Sequence, residues 1–474
     1  MSKSTLSRSL KLSSVYAMAV GSAVGWGAFV LPYQWLSSAG LLAVVAGFML
    51  ATVLIGVVAI NYGYATCKLP VTGGGVVFAL LALGHRHGFI AGWSLMLGYM
   101  GIVALNASAV ALVLRLIMPD VMQQFALYQV ADWVIYAPEV LASSLFLLIF
   151  AYLNVKNTAF SGRVQFLAVL LMLFAVGVIV LGTGTHFVQY GSVLPWQPPA
   201  GTAFWSAVAA IVAFAPWAYI GFDSIPQMAG EFNFSTKKIM KLLIASVVSA
   251  TALYLAMVVA SAFAFGTDLA DFASQSWATG AAIGDVMGTA GLVILIVAVS
   301  MGVLTGLNGF YLASSRILLT MGRAKMLPAT FARLHPKHGT PSVAIYAVMA
   351  VCLISPWFGR AALLWVVDMT SVGIAITFFY ACFCAYRLGK TGKLSGKVFQ
   401  SPNRTQAIIG ALGCVVSLGF LALLVLPFSP AVLSLPAWCA LAVWLVVGGG
   451  VYYYQRKSLH QKSQLQIYES MRDV

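Results

Sequence analysis

Apolar residues run along this chain in long blocks separated by short polar segments. A helix needs about 20 residues to cross the ~30 Å hydrocarbon core of a bilayer. Twelve blocks meet that length, near 12–32, 40–64, 89–117, 136–154, 162–184, 203–231, 240–266, 286–320, 342–357, 361–386, 406–427 and 435–454. The blocks at 89–117 and 286–320 are long enough to tilt or to extend past the bilayer. Alternating strands at about ten-residue spacing, the mark of an outer-membrane barrel, are absent. The pattern predicts an all-α polytopic membrane protein whose short loops leave no room for a separate soluble domain.

Composition agrees. The 474 residues are 61% apolar and 8% charged, with a mean hydropathy of +0.95; soluble domains carry about 25% charged residues. The net charge of +15 resolves into topology. When the chain starts inside and threads the twelve spans, 24 of the 26 lysines and arginines fall on the inner side, and only Arg115 and Arg360 fall outside. Positive-inside bias then places both termini in the cytosol of an inner or plasma membrane, and no nucleic-acid partner is needed to explain the charge. The short basic N-terminus reads as uncleaved. The six cysteines lie in spans or near the inner side, so no disulfide framework follows, and Cys382 and Cys384 lack the further ligands a metal site needs. The six histidines avoid the span centres, which argues against a histidine proton relay. No cofactor or metal is implied.

Within the spans a few residues stand out. Asp223 and Asp368 are carboxylates inside predicted spans with no lysine or arginine at the same depth; each costs about 2.5–3.5 kcal/mol or more on insertion scales unless it faces protein, water or a partner. The first span reads G-S-A-V-G-W-G, with Gly21, Gly25 and Gly27 around Trp26, and ends at Pro32. Gly21 and Gly25 alone fit a close helix–helix contact. The third glycine marks a place where the helix can come undone, because glycine costs about 1 kcal/mol relative to alanine in a helix. The sixth span carries a second interruption, with Pro216, Gly221 and Pro226; proline removes a backbone donor and clashes with the preceding turn. Interrupted spans at matching places in two halves point to a transporter binding site, since backbone groups freed at membrane depth must line a cavity. Five spans separate the two breaks, so the second half runs in the opposite sense to the first, an inverted repeat.

These residues resemble the amino acid–polyamine–organocation (APC) superfamily of permeases over nearly the whole chain. Gly21, Gly25, Gly27 and Phe29 are similar to the family's G-x-x-x-G-x-G-x-F. L-P-V-T-G-G-G-V-V-F-A at 69–79, G-F-I-A-G-W at 88–93, W-A-Y-I-G-F-D in the sixth span and N-G-F-Y-L-A-S-S-R-I-L-L-T-M-G-R-A-K-M-L-P at 308–328 resemble its further motifs. Within the family the chain is similar to bacterial amino acid permeases and to the arginine/agmatine antiporter. The resemblance implies a five-plus-five inverted repeat of leucine-transporter-like fold, with spans 1–5 over 12–184, spans 6–10 over 203–386, two peripheral spans over 406–454, and cytosolic tails at 1–11 and 455–474. It implies that a substrate carboxylate rests on amides near Ala23, Val24, Gly25, Trp26 and Gly27. The amino group is expected among carbonyls near Phe214, Ala215 and Trp217, with Tyr219 and Gly221 in the same break. Trp217 stands at an aromatic-gate position, and Asp223 aligns with an acid implicated in pH-dependent transport.

Departures from the family pattern bear on coupling. Trp26 replaces a small hydroxylic residue, and its indole has two open orientations, into the pocket or outward against neighbours. Met172 stands where the family often has a lysine in the fifth span. Coupling is then left to a proton through Asp223 or Asp368, to sodium between first-span carbonyls and hydroxyls such as Ser300 and Thr305, or to solute exchange without an ion. Gly230 replaces an acid beside Glu231, whose expected setting is a cytosolic-end carboxylate facing Lys237, Lys238 or arginines. The leading expectation is a secondary active transporter of an amino acid, working by alternating access in contact with membrane lipid. The alternative is an amine or polyamine permease, or an amino acid/amine exchanger. No channel filter or hydrolytic H-E-x-x-H cluster is found in the sequence.

Overall fold

The computed structural model describes residues 8, 10–130, 133–156, 158–191, 194–266, 269–275, 277–359, 361–459 and 462–472. In chain order its helices are α1 (Leu12–Val24), α2 (Gly27–Val30), α3 (Pro32–Lys68), α4 (Gly74–Leu83), α5 (His85–Ile117), α6 (Pro119–Met122), α7 (Ala137–Lys156), α8 (Thr158–Tyr190) and α9 (Phe204–Ala213). Then follow α10 (Ala215–Ala218), α11 (Ile239–Phe265), α12 (Ala278–Arg323), α13 (Ser342–Cys352), α14 (Ala361–Thr391), α15 (Arg404–Val425), α16 (Leu435–Leu459) and α17 (Gln464–Arg472). Among the described residues nine helices are long and apolar enough to cross a membrane: α3, α5, α7, α8, α11, α12, α14, α15 and α16. The chain is an all-α, multi-pass membrane protein.

The other three predicted spans are not continuous helices. The block 12–32 divides at Gly25, and the chain beyond Pro32 joins the next block through a kink at Gly40 (φ 69°). The block 203–231 stops being α-helical after α10 and continues as 3₁₀ turns at Phe222–Gln227 and Ala229–Glu231. The block 342–357 ends its α-helix at Cys352 and finishes in a 3₁₀ turn, Ser355–Trp357, where Pro356 cannot supply a helical donor. The long eighth block starts earlier than expected, at Ala278, and bends at Gly288 (φ 66°).

Several elements went unpredicted, among them α4 and a short antiparallel pair, Lys393–Leu394 with Lys397–Val398. An antiparallel hairpin, β1 (Ala126–Val130) with β2 (Trp133–Tyr136), stands between α6 and α7. The C-terminal tail, expected as a cytosolic end, forms α17 and docks. Ile467, Tyr468 and Met471 are buried, the Lys397 ammonium lies 2.9 Å from Glu469, and His85 contacts the Lys462 carbonyl at 3.0 Å.

Most buried side chains form one continuous core that runs through α1, α3, α5, α8, α11, α12 and α14. Charged groups are buried in it at very few places, chiefly Asp223 and the pair Glu231–Arg316, and these mark the site.

Candidate functional site

The first interruption is a backbone event. Gly25 has φ 47° and ψ −150°, which side chains avoid, while a methyl group added there would meet nothing within 4 Å. Helical bonding behind α2 is therefore lost, and the amides at its start have no carbonyl one turn earlier. The freed carbonyls are met from other helices. The Tyr254 hydroxyl of α11 donates to Ala23 at 3.1 Å and sits 3.4 Å from the Val24 oxygen. The Thr305 hydroxyl of α12 lies 3.1 Å from the Gly21 oxygen, and Trp277 Nε1 donates to Phe29 O at 3.0 Å.

The second interruption carries its own bonds. Pro216 stands in α10, whose start at Phe214 already breaks the helical run. Gly221 has φ 139°. Its amide donates to Asp223 Oδ1 at 2.9 Å, and its carbonyl accepts from Ser224 Oγ at 2.6 Å. The Asp223 carbonyl accepts from Gln227 Nε2 at 3.0 Å, and Gln227 Oε1 accepts from the Gly75 amide at the head of α4.

The two interruptions touch. A Cβ on Gly221 would come within 2.6 Å of the Ala23 nitrogen, so only glycine lets these backbones approach. The Trp26 and Trp217 rings meet edge to face with centroids 6.0 Å apart and planes 64° apart, a favourable quadrupolar geometry. Gly27 faces the Cη2 tip of the Trp217 ring, where a methyl group would collide. Trp217 Nε1 is buried without a hydrogen-bond partner. Trp26 also faces a cavity of about 210 Å³ lined by Val30, Arg115, Gln123, Trp133 and Trp277 among others. The indole thus forms the wall between this cavity and Trp217. At the cavity rim Arg115 is gripped by both Glu139 oxygens and donates to Val134 O at 2.9 Å. Its guanidinium lies 4.1 Å from the Trp133 ring centre and 5.1 Å from that of Tyr136, within cation–π range.

Ala23, Val24, Gly25, Trp26, Gly27, Phe214, Ala215, Trp217 and Gly221 all fall in or beside the two interruptions. Tyr219 starts there but turns away: its hydroxyl bonds Thr251 (2.9 Å), Thr52 (3.0 Å) and Phe48 O (3.3 Å). Asp223 is fully buried, with the Tyr99 hydroxyl of α5 donating to Oδ2 at 2.7 Å. Asp368 is elsewhere, partly exposed in the second turn of α14, with Ser434 Oγ at 3.4 Å. Thr305 reaches the first interruption. Ser300, five residues earlier on α12, is rotated about 140° around the helix from it and is half-buried.

Glu231 faces Arg316 rather than Lys237 or Lys238. The pair is bidentate at 2.7 and 2.9 Å and wholly buried. Leu10 closes over it, donating its amide to Glu231 O at 3.1 Å and accepting from the Asn233 amide. The glycine at 230 packs directly on Thr72, which leaves no room for the family's acid.

Sequence reasoning missed Tyr99, Tyr254 and a buried amide chain. Asn308 donates to Gln165 Oε1 (2.9 Å) and accepts from Asn154 (3.3 Å), and Gln165 donates to Thr305 O (2.9 Å). The signal was present, since amides inside apolar helices find partners on neighbouring helices.

Interrupted helices that face each other inside a bundle of membrane-length helices, under a side-chain-lined cavity, are the architecture of a membrane permease. The family profile described as amino acid permease matches residues 10–452, and the chain belongs to that family. It is similar to the branched-chain amino acid permease BcaP of Lactococcus lactis subsp. cremoris, at 24% identity with 92% of each chain covered. It is also similar to BcaP of Bacillus subtilis, at 24% identity over 96% of this chain and 94% of the relative. The methylthioribose transporter of the same bacterium is 25% identical over 96% and 94%. The family and these relatives are transporters, not enzymes.

Proposed function

We propose that this chain is a secondary active transporter that moves an amino acid with an apolar side chain across the inner membrane by alternating access. The observation that carries the reading is the contact between the two interruptions: Gly221 against the Ala23 backbone, and Trp217 against Trp26 and Gly27. The amides at the start of α2 are the natural ligands for a substrate carboxylate, and the Phe214, Ala215 and Trp217 carbonyls, which accept from the Ala218, Tyr219 and Ile220 amides, keep a second lone pair for the ammonium. The side chains at the junction are aromatic or aliphatic, which suits an apolar substrate, as does similarity to two proteins named as branched-chain amino acid permeases.

The proposal includes the twelve-span arrangement. To the nine long helices are added α1 with α2, α9 with α10, and α13 with its 3₁₀ end as three shorter spans, giving a five-plus-five inverted repeat of leucine-transporter-like fold over 12–184 and 203–386. Spans 11 and 12 lie over 406–454, and both tails, 1–11 and 455–474, are cytosolic. In this frame Glu231, Arg316 and Leu10 close the inner side, and Trp26 separates the site from the outer cavity. Asp223 is the proposed proton-coupling group, because it is the acid hydrogen-bonded into the sixth-span break. Thr305 with the Gly21 carbonyl is the proposed position for sodium if the ion is sodium. The amine reading is weaker, because both Asp223 oxygens are already engaged by Tyr99 and Gly221.

Uptake of labelled leucine, isoleucine and valine into proteoliposomes, with and without sodium and a pH gradient, tests this. The expected result is uptake that excess unlabelled amino acid suppresses and the matching decarboxylated amine does not. Suppression by amines alone would transfer the assignment to the amine reading.

A further inference from the structure

Two sizeable spaces that transport does not use lie between α16 and the rest of the bundle. One lobe of about 470 Å³ is walled by Trp93, Leu318, Phe331, Gly450 and Tyr454 among others. A second, of about 560 Å³, is walled by Ala104, Cys352, Trp365, Ala440 and Val443 among others. Met100 and Val351 line both, so the lobes form one crevice. Across it α16 is held by Ala437 and Leu441, buried with Leu97 and Val372, by Tyr452 on Phe89, and by Trp444. Trp93 stacks on Trp444 with centroids 4.7 Å apart, donates to its carbonyl at 3.1 Å, and leaves room only for glycine at 448.

Both lobes are almost wholly carbon-lined. Left empty, they would forfeit the dispersion contacts of their walls, and water in them would lack the two to four polar partners it needs. At membrane depth the remaining filler is an acyl chain. The lobe beside Tyr454 opens at the end of the molecule where α12 and α16 both finish, and that rim is basic. Arg333, Arg456 and Lys457 are exposed beside lining residues, and Arg456 lies 3.9 Å over the Tyr453 ring. No acid occurs between Asp285 and Asp368, or between Asp368 and Glu469; the segments that carry the rim residues, 318–351 and 435–459, therefore hold no carboxylate, and Glu469 of α17 is paired with Lys397. Basic pockets between membrane helices attract anionic headgroups, at about 1 kcal/mol per base near the surface.

We infer that this crevice is a binding site for an anionic phospholipid, with an acyl chain in the lobe under Trp93 and the headgroup against Arg456, Lys457 and Arg333. The site needs only the membrane setting of the chain and stands or falls independently of the transported substrate. Native mass spectrometry of the full-length protein, purified in mild detergent and exposed to phosphatidylglycerol or phosphatidylcholine, tests it. The wild type should retain about one phosphatidylglycerol per chain in preference to phosphatidylcholine. Arg456→Gln with Lys457→Gln should reduce that preference about tenfold or more. Gly450→Phe should release lipid of either headgroup; a Cβ at 450 meets nothing within 4 Å, so the ring can enter the lobe without displacing backbone. Ala347→Phe, on the opposite wall, is the second filling variant, and melting temperature checks that each is folded. Retention unchanged in both filling variants overturns the inference. So does equal retention of the two lipids by the wild type, or a two-chain mass that Gly450→Phe reduces to one, which would assign the crevice to a second copy.

Discussion

The two helix interruptions are built in opposite ways. The first is one strained glycine, Gly25, whose neighbouring carbonyls are satisfied by side chains from other helices: Tyr254 of α11, and Thr305 and Trp277 on or beside α12. The second is a run of tight turns with internal bonds through Asp223, Ser224 and Gln227, supplemented by Tyr99 and Gly75. When α1 moves relative to α11 and α12, the bonds of the first interruption must break and re-form. The second would keep its internal bonds in such a motion and break only its ties to neighbours, the Tyr99 hydroxyl on Asp223 and the Gly73 and Gly75 amides on Gln227.

The largest expected effect distinguishes the glycines. Gly221→Val combines a forbidden φ with a collision against the Ala23 backbone, and should yield no monodisperse folded protein in detergent. Gly25→Ala meets no atoms and carries only backbone strain, about 1–3 kcal/mol; it should fold, with a lower melting temperature and impaired uptake. If both variants behaved alike, the two interruptions would not differ in kind.

Next in size is the buried pair that closes over the sixth-span turns. Glu231→Leu or Arg316→Met alone strands a buried charge and should cost about 3–5 kcal/mol, read as a fall in melting temperature. The double variant should be less destabilised than either single. Its failure to recover would show that the pair is not an isolated unit.

Tyr99→Phe removes a hydrogen bond to a buried carboxyl and should cost about 1.5–3 kcal/mol. Asp223→Asn should flatten the pH dependence of uptake. Tyr254→Phe, at the first interruption, removes a bond to a neutral carbonyl and should cost about 1 kcal/mol. It should also raise amide exchange around residues 24–30 while leaving 219–227 protected. The smallest effect belongs to Asp368→Asn. With partial exposure and hydrogen bonds from the Ser434 backbone and hydroxyl at a loop, its stability should stay within about 0.5 kcal/mol of wild type and its uptake should be little changed.

Much of this was legible because membrane burial forces simple patterns. Hydrophobic blocks located the long helices, with starts up to eight residues late at α3 and α12, and Gly25, Pro216 and Gly221 located the interruptions. What was not legible depended on contacts between distant segments. Arg316 lies 85 positions from Glu231, and Tyr99 lies 124 from Asp223, so nothing local singled out either partner. Tyr219 lies in the right segment but points elsewhere, since its hydroxyl finds Thr52 and Thr251 on neighbouring helices. Asp368 shows the converse: hydropathy placed it in a span, whereas its position two turns into α14 puts it beside the α15–α16 connection. The hairpin at 126–136 and the docked α17 were hidden because short loops and polar tails carry little periodic signal.

Equilibrium binding of labelled leucine to the purified protein and to Gly27→Val tests the central claim most directly. That substitution pushes a side chain into Trp217 where the two interruptions meet, and the melting temperature establishes that the variant is folded. The account predicts saturable binding by the wild type and its loss in the folded variant; wild-type affinity in folded Gly27→Val would contradict it.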